Sequence, residues 1–186
     1  MEEKIIHIKV PADRSVIEKL KAGDRVLISG SMLTGRDAAH KRLFELIQQG
    51  KPLPVEISGQ FIYYVGPTPP KPGEIIGSAG PTTSGRMDAY APALMEKGLL
   101  GMIGKGARDE KVKKAMMDFK AVYFAAIGGA GALISKRIVS SEVIAYEDLG
   151  PEAIRRIEVK DFPAVVINDI YGNDLYEQGR KLYAVK

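Results

Sequence analysis

Glycine and proline, 20 and 11 of the 186 residues, constrain this chain most, because they are gathered into a few stretches instead of being spread evenly. Together they make up about 17% of the residues against a background near 12%. Such clusters end regular structure, since Gly admits left-handed turns and Pro withholds a backbone donor. The chain must therefore be read as short elements joined by concentrated loops.

Each segment between the breakers has its own period. KIIHIKV alternates, with Ile6, Ile8 and Val10 on one side and His7 and Lys9 on the other, the pattern of a half-buried strand. A short amphipathic helix around SVIEKL follows, and GDRVLISG is then expected to be a strand entering a loop. GRDAAHKRLFELIQQG is a helix by the spacing of Ala39, Leu43, Leu46 and Ile47, with Thr34 and Asp37 as an approximate capping box and Gly50 as the stop. VEISGQFIYYVG predicts two short strands, PTPPKPG an irregular surface run, EIIGSAG a strand, DAYAPALMEKG a helix ending at Gly98, and LLGMIGKG a strand. DEKVKKAMMDFK is a helix capped by Asp109, with Val112, Ala115, Met116 and Phe119 on one face. AVYFAAI is a buried strand opening onto GGAGALISKR, and EVIAYED, IRRIEV and FPAVVINDIYGNDLY alternate strand-like runs with turns. The class is α/β with strands outnumbering helices. At about 150 residues per domain, a single domain over residues 1–186 is expected.

Composition narrows the chemistry. With no cysteine, the chain offers no disulfide, thiol nucleophile, Cys-ligated zinc or iron-sulfur cluster held by its own thiolates. The net charge of +4 and pI near 9.1 suit an anionic ligand or simply a solvated surface. Hydrophobic and charged fractions of 45% and 27% are those of a globular chain. No apolar run approaches membrane-spanning length, and MEEKIIHIKV lacks the basic and apolar regions of a signal peptide, so a soluble cytoplasmic protein is expected.

Three loops place a cation beside glycine just after a strand: Arg36 in GRD, Arg86 in TTSGR and Lys105 in GKG. A guanidinium grips a carboxylate through two parallel hydrogen bonds and an ammonium adds a compact charge, so the three could converge on a dicarboxylate. Equally, each could cap its own loop or pair with a nearby acid such as Asp37 or Asp88. GMIGKG is not a P-loop: position 99 is Leu where the first Gly belongs, and Gly106 replaces the hydroxyl that would hold magnesium. Gly129 and Gly131 lack the third Gly of a dinucleotide fingerprint, position 134 being Ile. The two histidines, His7 and His40, give no metal-ligand spacing. His7 reads as structural or exposed. His40 lies one turn beyond Arg36, where a helix N-terminus disfavours imidazolium and a neutral, hydrogen-bonding ring is expected. The tyrosines show no basic-aromatic interleaving, which argues against a nucleic-acid partner.

The strings GDRVLISGSMLTGRDAAHKRL, GPTTSGRMDAY, MIGKG, AVYFAAIGGAGAL and FPAVVINDIYGNDLY, in this order, resemble the C-terminal domain or β subunit of the iron-sulfur class I fumarate hydratases and their relatives the L-tartrate dehydratases. The resemblance runs from about Gly23 to Tyr176 and implies a swivelling β/β/α domain. It further implies a [4Fe-4S] cluster held by a separate α subunit, so that this chain would be one half of a hydro-lyase of the tricarboxylic acid cycle, active only with that partner. By the family's pattern Arg36, Arg86 and Lys105 hold the substrate carboxylates and Thr82 is the base, while a His and an Asp on the other subunit take the proton onward. Asp37 and His40 belong to the same strings and are expected to orient these groups. The residues alone leave Thr83 and Ser84 open beside Thr82. Tartrate dehydration is the alternative within the class, and a stand-alone anion-binding or regulatory module is the alternative outside it.

Overall fold

The computed structural model describes residues 5–184. In chain order the elements are β1 (Ile5–Val10), α1 (Arg14–Ile17), β2 (Arg25–Thr34), α2 (Asp37–Gln48), β3 (Phe61–Tyr63), α3 (Ala91–Glu96), β4 (Gly101–Gly104), α4 (Glu110–Phe119), β5 (Val122–Ala125), α5 (Gly131–Ser135), β6 (Ile138–Ala145), β7 (Ile154–Asn168) and α6 (Leu175–Tyr183), with short 3₁₀ turns at 84–87 and 147–152. The mixed, strand-rich α/β class is the one expected.

Strands β2 to β5 run parallel, which requires crossovers long enough to return the chain, and α2, α3 and α4 supply them. β7 comes back antiparallel and pairs with β5 and with β2. The pairing thus passes from β2 through β3, β4, β5 and β7 back to β2, a barrel-like ring, with β1 added on β2 and β6 on β7. Alternation along the strands splits the apolar residues into two cores. Phe61, Tyr63, Ile103, Val122 and Phe124 join Ile28, Ile157 and Phe162 in one. Ile62, Met102 and Tyr123 meet Ala39 and Leu43 of α2, Leu94 and Met95 of α3, and Val112, Ala115 and Met116 of α4 in the other. Helices therefore cover one face of the parallel strands and hold their carboxyl ends in a common rim.

Local signals decided several elements and misled at others. Asp109 caps α4 by accepting the Val112 N–H at 2.8 Å, and α2 stops before Gly50 at φ 63°. The capping box at the start of α2 does not form. Thr34 belongs to β2, where its hydroxyl accepts the Arg155 N–H at 3.2 Å, and Arg36 occupies the cap position without a capping side-chain bond. β2 does not end at Gly30 but continues to Thr34, with Gly30 at φ 116° absorbing a bulge against β7. VEIS and EIIG form no strand, and only Phe61–Tyr63 of the first region pairs in the sheet. IRRIEV and FPAVVIN are one strand of 15 residues. The turn expected between them is Asp161 at φ 50°, whose N–H donates to Ser29 Oγ at 2.9 Å opposite the β2 bulge. Among the described residues no helix is long and apolar enough to cross a membrane.

Candidate active site

Parallel strands, in barrels as in open sheets, build ligand sites beyond their carboxyl ends, and Arg36, Thr82, Arg86 and Lys105 lie in the segments there. β2 ends at Thr34, with Gly35, Arg36 and Asp37 leading into α2; β4 ends at Gly104, with Lys105 next. Segment 82–84 enters between the extensions of β3 and β4. Thr82 N–H donates to the Tyr64 carbonyl at 2.7 Å, Lys105 N–H to the Thr82 carbonyl at 3.2 Å, and Ser84 N–H to the Lys105 carbonyl at 2.8 Å. Gly104 permits this approach, since a Cβ there would lie 2.1 Å from Ser84 Oγ. Thr82 and Lys105 are in this way fixed side by side.

The two arginines reach the same rim and are each met by an acid. Arg86 Nε donates to Asp37 Oδ1 at 2.8 Å, with Nη2 2.7 Å from Oδ2. This is the acid pairing named among the alternatives, and because the pair is half exposed its worth is orientation more than stability. Arg36 Nε lies 2.7 Å from Glu152 Oε1, a charge contact that is not an aligned hydrogen bond. Lys105 is exposed and has no acidic partner among the described residues. Asp88 pairs with none of these three cations but with Arg108.

The hydroxyls that sequence leaves open differ in their surroundings. Thr82 is 8% exposed, and its hydroxyl has no hydrogen-bond partner among the described residues. Thr83 is exposed. Ser84 is fully buried, with Oγ 2.8 Å from Tyr123 Oη, which donates to the Gly106 carbonyl at 2.8 Å. Burial holds the Tyr123 hydroxyl above its ordinary range, so it stays protonated. Ser84 is therefore committed to the wall behind the rim.

His40 also sits behind the rim. Its ring is buried, edge-on to Tyr64 at 5.1 Å between centroids, and Nδ1 lies 3.1 Å from the Arg36 carbonyl. A carbonyl can only accept, so Nδ1 carries the proton and Nε2 is left buried without a partner. Desolvation by burial lowers its pKa from 6.5 to about 4, so the neutral ring expected from its place on the helix arises mainly from burial. The unfolded chain therefore takes up a proton between pH 6.5 and about 4 that the native state refuses. Stability is fully present above pH 6.5 and falls through that window, by about 3 kcal/mol. Urea unfolding at pH 7, 5 and 4 should show this slope reduced in His40→Leu; equal slopes in the two proteins would refute it.

Sequence reasoning missed Arg108 and Glu152, and it gave Asp88 a different partner. Arg108 is buried, with Nε donating to Asp88 Oδ1 at 2.7 Å and its guanidinium 5.4 and 5.1 Å from the Tyr64 and Tyr123 ring centroids. Asp88 Oδ2 accepts the Asp109 N–H at 2.8 Å. The acidic start of α4 is the one local signal there, and it points to the Asp109 cap alone. Glu152 has no local signal, as its partners are more than a hundred residues away.

The residues present do not fit as ligands of a metal cluster: the chain has no thiolate, and the described residues include no group of three or more His, Asp or Glu able to hold a metal ion. Two hollows of the surface, about 710 Å³ beside Ile75 and Val139 and about 390 Å³ beside Ile127 and Leu133, are lined by other residues. The rim is an open face.

The family model described as "Fumarase C-terminus" matches residues 1–179. The chain is 42% identical over 156 residues to "Fumarate hydratase class I, anaerobic" of Escherichia coli (strain K12), covering 83% of this chain and 28% of that protein. It is 36% identical over 177 residues to "Fumarate hydratase 2" of Leishmania major, covering 93% and 31%. It is 34% identical over 174 residues to "Putative L(+)-tartrate dehydratase subunit beta" of Methanocaldococcus jannaschii, covering 90% and 89%. The chain thus spans less than a third of the length of the first two relatives and most of the third.

Proposed function

The chain belongs to the fumarase C-terminus family, and from that premise we propose that it is the carboxylate-binding half of a hydro-lyase interconverting fumarate and malate. The observation that carries this reading is the meeting of Arg36, Arg86, Lys105 and Thr82 on one open rim. Two guanidinium forks and an ammonium suit the two ends of a small dicarboxylate. Proton removal beside a carboxylate adds negative charge in the transition state, and fixed cations in a site closed to water lower that barrier. Thr82 is the group that takes the proton in this reading. A hydroxyl is a weak base, so it must pass the proton to a partner outside this chain. Asp37 holds Arg86 in place and His40 supports the Arg36 backbone from behind. The [4Fe-4S] cluster of such enzymes supplies Lewis-acid chemistry and, in this reading, is held by a cluster-bearing α subunit that closes over the rim, with this cytoplasmic domain swivelling against it.

A second reading, the β subunit of an L-tartrate dehydratase, is favoured by the match along 89% of the Methanocaldococcus jannaschii protein. The two differ by one substrate hydroxyl, a discrimination set by a few pocket hydrogen bonds. One experiment tests both: the purified chain should be folded, colourless and inactive, and anaerobic mixing with the cognate α subunit should give turnover. Assays with fumarate, malate and both tartrate enantiomers identify the substrate. Turnover by the isolated chain would overturn the division of labour, and a complex inactive on all four would favour a stand-alone anion-binding module.

A further inference from the structure

The connection between β6 and β7 lies over α2 as a strap. Arg42 of α2 donates from Nη1 and Nη2 to the two carboxylate oxygens of Asp148 at 2.8 and 2.5 Å, and its guanidinium stands 5.1 Å from the Tyr146 ring centroid. At the end of the strap, Glu152 uses both its oxygens on the start of α2. Oε2 accepts the Ala38 N–H at 3.1 Å, a capping bond that the helix's own cap residue, Arg36, does not provide. Oε1 lies 2.7 Å from Arg36 Nε. Gly66 closes the other side: a Cβ there would stand 2.6 Å from Arg36 Cζ, 2.7 Å from Nε and 2.9 Å from Nη1. The guanidinium therefore lies against bare backbone, with an acid at its Nε edge and the Nη edge left over.

We propose that Glu152 and Gly66 form a socket that aims the Nη edge of Arg36 at a ligand carboxylate, which makes them positioning residues for the dicarboxylate site; this rests on the reading of the rim given above. The sign of the effect separates aim from charge. A carboxylate beside Arg36 weakens anion binding if only its charge counts, so removing that charge should then tighten binding. If the socket sets direction, removing it weakens binding, because misplacement of a clamp group costs alignment.

The test uses the full chain with its α subunit. Glu152→Gln keeps an oxygen for the Ala38 N–H, and the atoms nearest the methyl of Gly66→Ala belong to the movable end of Arg36, so both should fold with melting temperatures near the parent's. Each should raise the KM for malate on the order of 10-fold, with a smaller fall in kcat. In an Arg36→Ala background neither should raise KM further. An unchanged or lowered KM in Glu152→Gln, or undiminished effects in that background, overturns the socket. The socket is also read without turnover, as a shift of the Arg36 Nε resonance of the isolated chain in Glu152→Gln and in Gly66→Ala, since each changes what lies against that edge of the guanidinium. A resonance unmoved in both variants also overturns the socket, while a parent complex inactive on every dicarboxylate refutes only the reading of the site.

Discussion

Replacing Thr82 by Val should lower kcat on the order of 10²-fold or more in the reconstituted complex while leaving the KM for malate close to the parent's. Val keeps the shape and the two backbone hydrogen bonds that fix position 82, to Tyr64 and from Lys105, and removes only the hydroxyl. That hydroxyl has no partner within the described chain, so its loss leaves no buried group unsatisfied and stability should change little. A base role predicts a second signature, loss of solvent exchange at the malate C3 hydrogen. The neighbours serve as controls with distinct outcomes. Ser84→Ala breaks the bond to Tyr123 and should lower stability by about 1 kcal/mol without abolishing exchange, and exposed Thr83→Val should do neither. Near-normal kcat in Thr82→Val would remove Thr82 as the base and transfer the role to Thr83 or to a residue of the partner chain.

The contrast between Thr82 and Ser84 shows what sequence could carry here and what it could not. TTS offers three hydroxyls in a row, and only the backbone ladder from Tyr64 to Lys105 decides which of them turns inward. Signals confined to one turn of chain were legible: Asp109 three residues before the Val112 N–H, or the alternation of KIIHIKV, where Ile8 and Val10 are buried and His7 and Lys9 exposed. Signals that depend on a partner elsewhere were not. Gly30, and Asp161 two residues before Pro163, look like strand ends, yet they are matched irregularities in β2 and β7 that let two long strands stay paired. α6 has no fully buried residue, and its contact with the second core rests on the half-buried Leu175 and Tyr176 of its first turn, too short an apolar stretch to read as a helix, although Asp174 followed by Glu177 is a readable start, since Asp174 accepts the N–H groups of both Tyr176 and Glu177. The cations of the rim were visible one by one, but the acids that hold them, Asp37 for Arg86 and Glu152 for Arg36, are chosen by the fold.

Arg108→Met should lower the unfolding free energy by about 3–5 kcal/mol, a large part of the roughly 5–15 kcal/mol that a domain possesses. The ion pair it breaks is buried, with Arg108's side chain fully enclosed and Asp88's 10% exposed. Removing one partner strands the other charge away from water, which costs more than the pair contributes against an apolar replacement. The double variant Arg108→Met, Asp88→Asn should therefore recover part of the loss, a coupling that separate surface effects would not produce. Urea unfolding of the four proteins checks this, and a single-variant loss below about 1 kcal/mol, the range of an exposed pair, would sink it. Asp88 lies two residues beyond Arg86 and its other oxygen holds the Asp109 N–H, so the pair staples the loop carrying Thr82 and Arg86 to the loop carrying Lys105. Below its lowered melting temperature the single variant should then bind malate more weakly than the parent, because the clamp and the hydroxyl reach the rim through that staple.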